Sequence, residues 1–203
     1  MSVETAKTVD RASARDRLLA AADELFYGEG VHTVGIDKVL ERAGVAKATL
    51  YSTFGSKDEL VRVYLTRRHE ARQTRITEAI EKYDSPKDKL LGIFDALGDV
   101  LAQPSYRGCA FVNASAESPA GGAVHEVSAQ ARDWLRSLFM SLASAAGARD
   151  VEKLATQFML LYDGASVAAR MDANSAAGEA ARTVAAALLD DAIPNARSGV
   201  RKT

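Results

Sequence analysis

Residues 35 to 60 read Gly-Ile-Asp-Lys-Val-Leu-Glu-Arg-Ala-Gly-Val-Ala-Lys-Ala-Thr-Leu-Tyr-Ser-Thr-Phe-Gly-Ser-Lys-Asp-Glu-Leu, and this stretch leaves the chain few choices. Ile36, Val39, Leu40 and Ala43 recur at the three- and four-residue steps of a helix with one buried face. Gly44 follows where a backbone with positive φ ends such a helix, which predicts a sharp turn. A second short helix is predicted from Ala46 to Thr53. It sends Leu50 and Phe54 to one side and Ala48, Thr49 and Ser52 to the other, flanked by Lys47, Tyr51 and Thr53. Small side chains let a helix backbone approach the floor of a major groove, while hydroxyls, a phenol and an ammonium reach bases and phosphates. The pair therefore reads as a DNA-binding helix-turn-helix.

The next four residues, Ser56-Lys57-Asp58-Glu59, fit a capping box, in which Ser56 covers the amide of Glu59 and Glu59 reaches back to that of Ser56. Lys57 then falls in a first helical turn, where the helix dipole favours an acid. A phosphate partner reverses that balance. Upstream, from about Ser13 to Tyr27, Leu18, Ala22, Leu25 and Phe26 make one apolar face, and Gly28 and Gly30 are expected to terminate that helix.

Residues 14 to 60 resemble the N-terminal domain of the TetR family of transcriptional regulators. The resemblance is carried by Leu18-Leu19-Ala20-Ala21-Ala22 and Leu25-Phe26, by Gly30, by Ala43-Gly44-Val45-Ala46-Lys47-Ala48-Thr49-Leu50-Tyr51, and by Phe54-Gly55-Ser56-Lys57-Asp58-Glu59-Leu60. Carried over by motif, it implies that Lys47, Ala48 and Thr49 face base edges and that Tyr51, Ser52 and Lys57 hold phosphates, with Gly35, Ala46 and Thr53 at the helix ends. Family members often carry Ser or Thr where this chain has Gly35, and His or Tyr where it has Thr53. Glycine serves as an N-cap with little loss, so the fold tolerates the first departure. The phosphate contacts, and with them the preferred operator, are what these departures touch.

Charge limits how such a surface could bind. The 203 residues carry a formal net charge of -1, and residues 1–70 hold eleven basic and eleven acidic side chains. Purely electrostatic DNA binding, which rests on many phosphate contacts, is disfavoured. Specific binding through a few basic groups on one face is not. With 47% hydrophobic residues the chain can bury a substantial core. Cys109 is the single cysteine and has no intrachain disulfide partner. There is no basic-plus-apolar N-terminal segment and no apolar run of the ~18 residues needed to span a bilayer, so a soluble cytoplasmic protein is expected.

Beyond residue 58 the pattern stays helical. One long helix is predicted over Glu59 to Lys82, with Leu60, Val61, Tyr64, Leu65 and Ile76 inward and Arg62, Arg67, Arg68, Arg72 and Arg75 mostly outward. Ser85-Pro86 starts another helix carrying Leu90, Ile93, Phe94, Leu97 and Leu101, which ends before Gln103-Pro104. A short buried helix is expected within Gly108 to Glu117. Further helices follow from Val124 to about Ala146, Val151 to about Met171, and about Ser175 to Ala192.

The fold class is therefore all-α, with about nine helices in two units. An N-terminal helix-turn-helix domain over 13–58 is followed by a larger helical effector-binding and dimerisation domain over 59–193. Residues 1–12 are expected to form a disordered arm and 194–203 a tail.

For the larger unit, the family resemblance implies an effector pocket, drawn from Phe94, Leu97, Leu101, Cys109, Phe111, Trp134, Leu138, Phe158, Met159 and Tyr162. Plain core packing is the alternative for each, since pockets in helical bundles are themselves mostly apolar. The effector so implied is small and apolar or aromatic. Arg107-Gly108-Cys109-Ala110-Phe111-Val112-Asn113 resembles a stretch of some TetR-like regulators in which the cysteine senses electrophiles or oxidants, and Arg107 would favour its thiolate. The opposing reading is an inert buried thiol.

His32, His69 and His125 stand without a carboxylate or cysteine at ligand spacing, and no catalytic motif is present, so no metal, cofactor or enzymatic activity is expected. Small residues at Gly164, Ala165, Ala168, Ala169 and at Ala180, Ala181, Ala185, Ala186, Ala187 permit close helix approach, and predict a homodimer through the last two helices. Such a dimer suits a pseudo-palindromic operator. Together these features imply a repressor released from double-stranded operator DNA by a small molecule. The rival is a helical-bundle small-molecule binding protein or enzyme that does not touch DNA.

Overall fold

The computed structural model describes residues 12–173 and 176–194. The expected arm and tail fall almost wholly outside the described residues. Among the described residues every regular element is a helix and there is no strand. The chain divides into two compact units, residues 1–64 and 65–203, so the boundary lies six residues beyond the expected one and inside a helix.

In the first unit, α1 spans Ala14–Glu29, α2 Ile36–Ala43, α3 Lys47–Phe54, and α4 begins at Lys57. Ser13 caps α1 by accepting from the Asp16 amide at 3.1 Å. Such a cap contributes about 1 kcal/mol. The helix does not stop at Tyr27. It runs through Gly28 to Glu29, because glycine in a helix only weakens it, whereas Gly30 at φ 102° cannot continue it. Gly44, at φ 61° and ψ 44°, is left-handed as the spacing requires, and the Val45 amide donates back to the Leu40 carbonyl at 3.2 Å.

Leu18, Ala22 and Phe26 of α1, Val39 and Ala43 of α2, and Leu50 and Phe54 of α3 close a small core. Tyr64 packs edge to face on Phe26, with ring centroids 5.6 Å apart. Arg17 Nε donates at 3.2 Å to the Ala43 carbonyl and so ties α1 to the end of α2. Half of the predicted capping box forms. The Glu59 amide donates to Ser56 Oγ at 3.1 Å, but the Glu59 carboxylate pairs with Arg62 Nε at 3.2 Å instead of returning to the Ser56 amide.

The second unit takes the remainder of α4, which ends at Ile80, then α5 Pro86–Leu101, α6 Ala110–Glu117, α7 Gly122–Ala145, α8 Val151–Met171 and α9 Ala177–Ala192. Ser85 caps α5 through the Asp88 amide at 3.0 Å, with Pro86 in the first turn. The centre of the core is a triangle of rings. Phe94, Phe139 and Phe158 are fully buried, with centroid separations of 5.9, 5.5 and 5.3 Å around the three pairs. Each such pair adds about 0.5–1.5 kcal/mol beyond area burial. Where α5 and α9 cross, Gly98 and Gly178 face each other, and a Cβ on Gly178 would lie 2.5 Å from the Gly98 Cα.

Candidate functional site

The eight residues of α3 divide cleanly by exposure. Leu50 and Phe54 are buried, while Lys47, Ala48, Tyr51, Ser52 and Thr53 are exposed and Thr49 is half-buried. Gly35 and Ala46, exposed, occupy the N-cap positions of α2 and α3, and neither helix has a side-chain cap there. Lys57 is half-buried in the first turn of α4, its Nζ 6.0 Å from the centroid of the Phe26 ring. That contact sets the ammonium over an aromatic face and offsets some of the cost of a cation at a helix start.

The polar groups on α3 are lightly held. Lys47 Nζ lies 3.2 Å from Asp37 Oδ1, with both side chains more than half exposed, so exchanging the carboxylate for another anion costs about 1 kcal/mol or less. Ser52 and Thr53 both donate to the Thr49 carbonyl, at 3.0 and 2.6 Å. Their hydroxyls keep free acceptor capacity, and turn outward as donors for the loss of one modest bond. Lys38–Glu29 and Arg42–Glu24 are also exposed ion pairs.

In the second unit a cavity of about 260 Å³ lies among α4, α6, α7 and α8. Arg72 enters it from α4. Cys109 and Phe111 come from the start of α6, Ala131 and Leu135 from α7, and Met159 and Tyr162 from α8. Polar groups line it too: Ser115 donates to Ser128 at 3.2 Å, Ser166 to the Tyr162 carbonyl at 2.8 Å, and Arg132 pairs with Asp163 at 2.8 Å.

Of the ten residues proposed from sequence, Cys109, Phe111, Met159 and Tyr162 line this cavity. Phe94 and Phe158 do not: they are the fully buried ring cluster, because their helical positions point into the packed centre of the unit. Leu97 is buried in the same core. Leu101 borders a different space, beside Pro104 and Tyr106. Trp134 packs edge to face on His69 at 5.8 Å, and Leu138 is partly buried against the core.

Sequence periodicity missed Arg72. It belongs to a run of arginines assigned mostly to solvent, yet its side chain folds inward, donates to the Ala131 carbonyl and places its guanidinium carbon 4.8 Å from the Phe111 ring centroid. Burial pulls its pKa below the ordinary guanidinium range. Burial likewise pushes the Tyr162 hydroxyl up, and pulls His69 down with help from the Arg72 charge, so both are neutral at pH 7. No signal in the arginine run distinguishes position 72. The apolar residues that receive it are 39 or more positions away in sequence.

Cys109 is half-buried at the N-cap of α6 and borders both this cavity and a neighbouring one of about 210 Å³. Arg107, expected to favour its thiolate, donates to the carbonyls of Pro104 and Tyr106. Among the described residues no group of His, Cys, Asp or Glu is arranged to hold a metal ion, and no helix is long and apolar enough to cross a membrane.

A glycine-turned helix pair with a small polar outer face, followed by a larger helical unit enclosing a cavity, defines the class of helix-turn-helix regulators. Residues 18–64 match the family model for bacterial regulatory proteins of the tetR family. The fold is that of a TetR-family transcriptional regulator from Streptomyces coelicolor, with a TM-score of 0.83 and 31% identity over 88% of this chain and 95% of that one. A TetR-type regulator from Streptomyces avermitilis matches with a TM-score of 0.79 and 32% identity over 89% and 98%.

Among curated relatives, the transcriptional activator FasR of Mycolicibacterium smegmatis is 33% identical over 47% of this chain and 43% of its own length. The repressor NemR of Escherichia coli is 29% identical over 51% and 53%. The matches thus span about half the length of these curated relatives. The chain belongs to the TetR family.

Proposed function

We propose that this protein is a homodimeric transcriptional repressor that reads a pseudo-palindromic operator with α3 and leaves it when a small molecule occupies the cavity of the second unit. The observation that carries the DNA-reading part is the exposure pattern of α3, whose two large apolar residues are buried beneath a face of Lys47, Ala48, Tyr51, Ser52 and Thr53. In this reading Lys47, Ala48 and Thr49 approach base edges, and Tyr51, Ser52 and Lys57 hold phosphates. With near-neutral charge, affinity rests on these few groups and on using two copies at once. Two recognition helices about 34 Å apart would engage successive major grooves.

Support for the dimer comes from the exposed faces of α8 and α9. Leu160, Gly164, Val167 and Met171 form one stripe at helical spacing and Ala180, Val184 and Ala187 another, and all seven are exposed. Ala165, Ala169, Ala181 and Ala185 are instead buried in the chain's own core, so the close-packing surface differs from the one read off the alanine pattern. Two such stripes from each copy would make an isologous four-helix interface.

Helix α4 carries Lys57 in its first turn and Arg72 in its cavity-facing part, so one element bears both a candidate phosphate contact and a cavity wall. An effector acts on DNA only by preferring one of two states of the dimer, and tight binding to both would change nothing.

A gel-shift titration of DNA flanking the protein's own gene tests this reading. A saturable, sequence-dependent shift at low micromolar dimer or below supports it. Its absence, or a shift equal for scrambled DNA, would favour a bundle protein that does not read DNA.

A further inference from the structure

Three ionised side chains line the cavity, and two of them satisfy each other. Arg132 and Asp163 pair at 2.8 Å, so the wall carries one net positive charge, and Asp163 acts on Arg72 only from beyond ion-pair distance. Among the described residues Arg72 has no carboxylate partner. One of its amino nitrogens donates to the Ala131 carbonyl, and its buried Nε has no acceptor. An ion taken out of water without a counter-charge close by is costly.

Tyr162 presents a second donor in the same wall. Tyr162 is only 6% exposed, its backbone carbonyl accepts from Ser166, and its side chain lines the same cavity as Arg72. Of the lining serines, Ser115 donates to Ser128 and Ser166 to the Tyr162 carbonyl, and none is an anion that could answer the Arg72 charge. Elsewhere the wall is apolar, through Phe111, Leu135 and Met159.

From this we infer that the effector is a small organic monocarboxylate whose carboxylate takes hydrogen bonds from Arg72 and Tyr162 and whose apolar body fills the rest of the cavity. The inference rests on the cavity being the effector site proposed above. One net positive charge among the lining residues Arg72, Arg132 and Asp163 calls for a single negative charge, since a dianion would itself leave a buried charge unmatched. The volume of about 260 Å³ exceeds the ~150 Å³ in which an apolar cavity already accepts benzene, so a bicyclic body fits.

The test is calorimetric titration of the full-length protein with 2-naphthoate and with its neutral isostere 2-naphthamide. Saturable binding of naphthoate is expected, with the amide at least about tenfold weaker, as loss of a charged hydrogen bond requires. Arg72→Met should bring the two probes to within about twofold of each other, and Tyr162→Phe, which deletes one oxygen and leaves the packing, should weaken naphthoate severalfold.

Equal affinity for acid and amide, no binding of either at millimolar probe, or a preference that survives both substitutions would overturn the inference. Gel shifts on the same preparation separate the two readings. DNA binding without naphthoate binding overturns only this inference, and naphthoate binding without DNA binding overturns only the proposed regulator.

Discussion

A Cβ placed on Gly178 would stand 2.5 Å from the Cα of Gly98, so α5 and α9 touch backbone to backbone. Nothing flexible lies on either side of that contact. Gly178→Ala is therefore expected to destabilise the protein by about 1–3 kcal/mol, although alanine is the better helix former. Gly28, in the last turns of α1, has open space where its Cβ would go, and Gly28→Ala should stabilise by about 0.5–1 kcal/mol. Urea unfolding of the two variants checks both signs. A stabilised Gly178→Ala would mean that the helices separate at no cost.

The candidate phosphate contacts differ in how they should fail. Lys57→Ala is expected to weaken DNA binding and lower the salt slope of log K by about one unit, because one fewer counterion is released. Tyr51, 46% exposed and uncharged, should weaken binding across sequences when changed to Ala and leave the slope nearly as it was. Titrations at several salt concentrations measure both. A slope untouched by Lys57→Ala would remove it from the phosphate contacts.

Dimerisation is expected to follow the exposed stripe and not the alanine count. Leu160 is 70% exposed, so Leu160→Asp should leave the fold of the single chain intact and yield a monomer in analytical ultracentrifugation. Its DNA affinity should fall as the second recognition helix is lost. A variant that remained dimeric would place the interface elsewhere.

His69 sets a pH dependence. Its pKa lies below the ordinary value of 6.5 through burial and the neighbouring Arg72 charge, and its Nδ1 has no hydrogen-bond partner. Between the folded and unfolded values the unfolded chain binds more protons. Its contribution to stability is therefore present above pH ~6.5 and is lost as pH falls through the window below it. Replacing His69 by Leu should flatten the melting temperature across about pH 5 to 7. Calorimetric scans through that range would show it, and an unchanged slope would assign the acid sensitivity to other groups.

Local rules read much of this protein from residue order. Ser13 and Ser85 announce helix starts through a side-chain oxygen three residues before an amide, and Gly44 announces an end because left-handed backbone favours glycine. Leu50 and Phe54 show which side of α3 is buried, since that helix packs on a single face. The same rule fails at Gly28, where a glycine predicts a stop but the backbone stays helical.

Arg72 marks where periodicity runs out. A wheel drawn on α4 places an arginine inside or outside only after the neighbours are known, and here Phe111 and Ala131 arrive from distant sequence to receive it. The ring triangle of Phe94, Phe139 and Phe158 poses the converse problem. Apolar residues at helical spacing look alike whether they line a cavity or fill a core.

By itself, then, the sequence determined the helix-turn-helix, the all-α class, the caps and the outward face of α3, because each depends on neighbours within a few residues. Tertiary structure decided which alanines are buried and which stand exposed, where α5 and α9 meet at glycine, and that Arg72 and Tyr162 share a cavity wall in which the Arg72 Nε has no acceptor. Those features depend on how side chains from separate helices fill or fail to fill common space, and no periodicity along one helix encodes that.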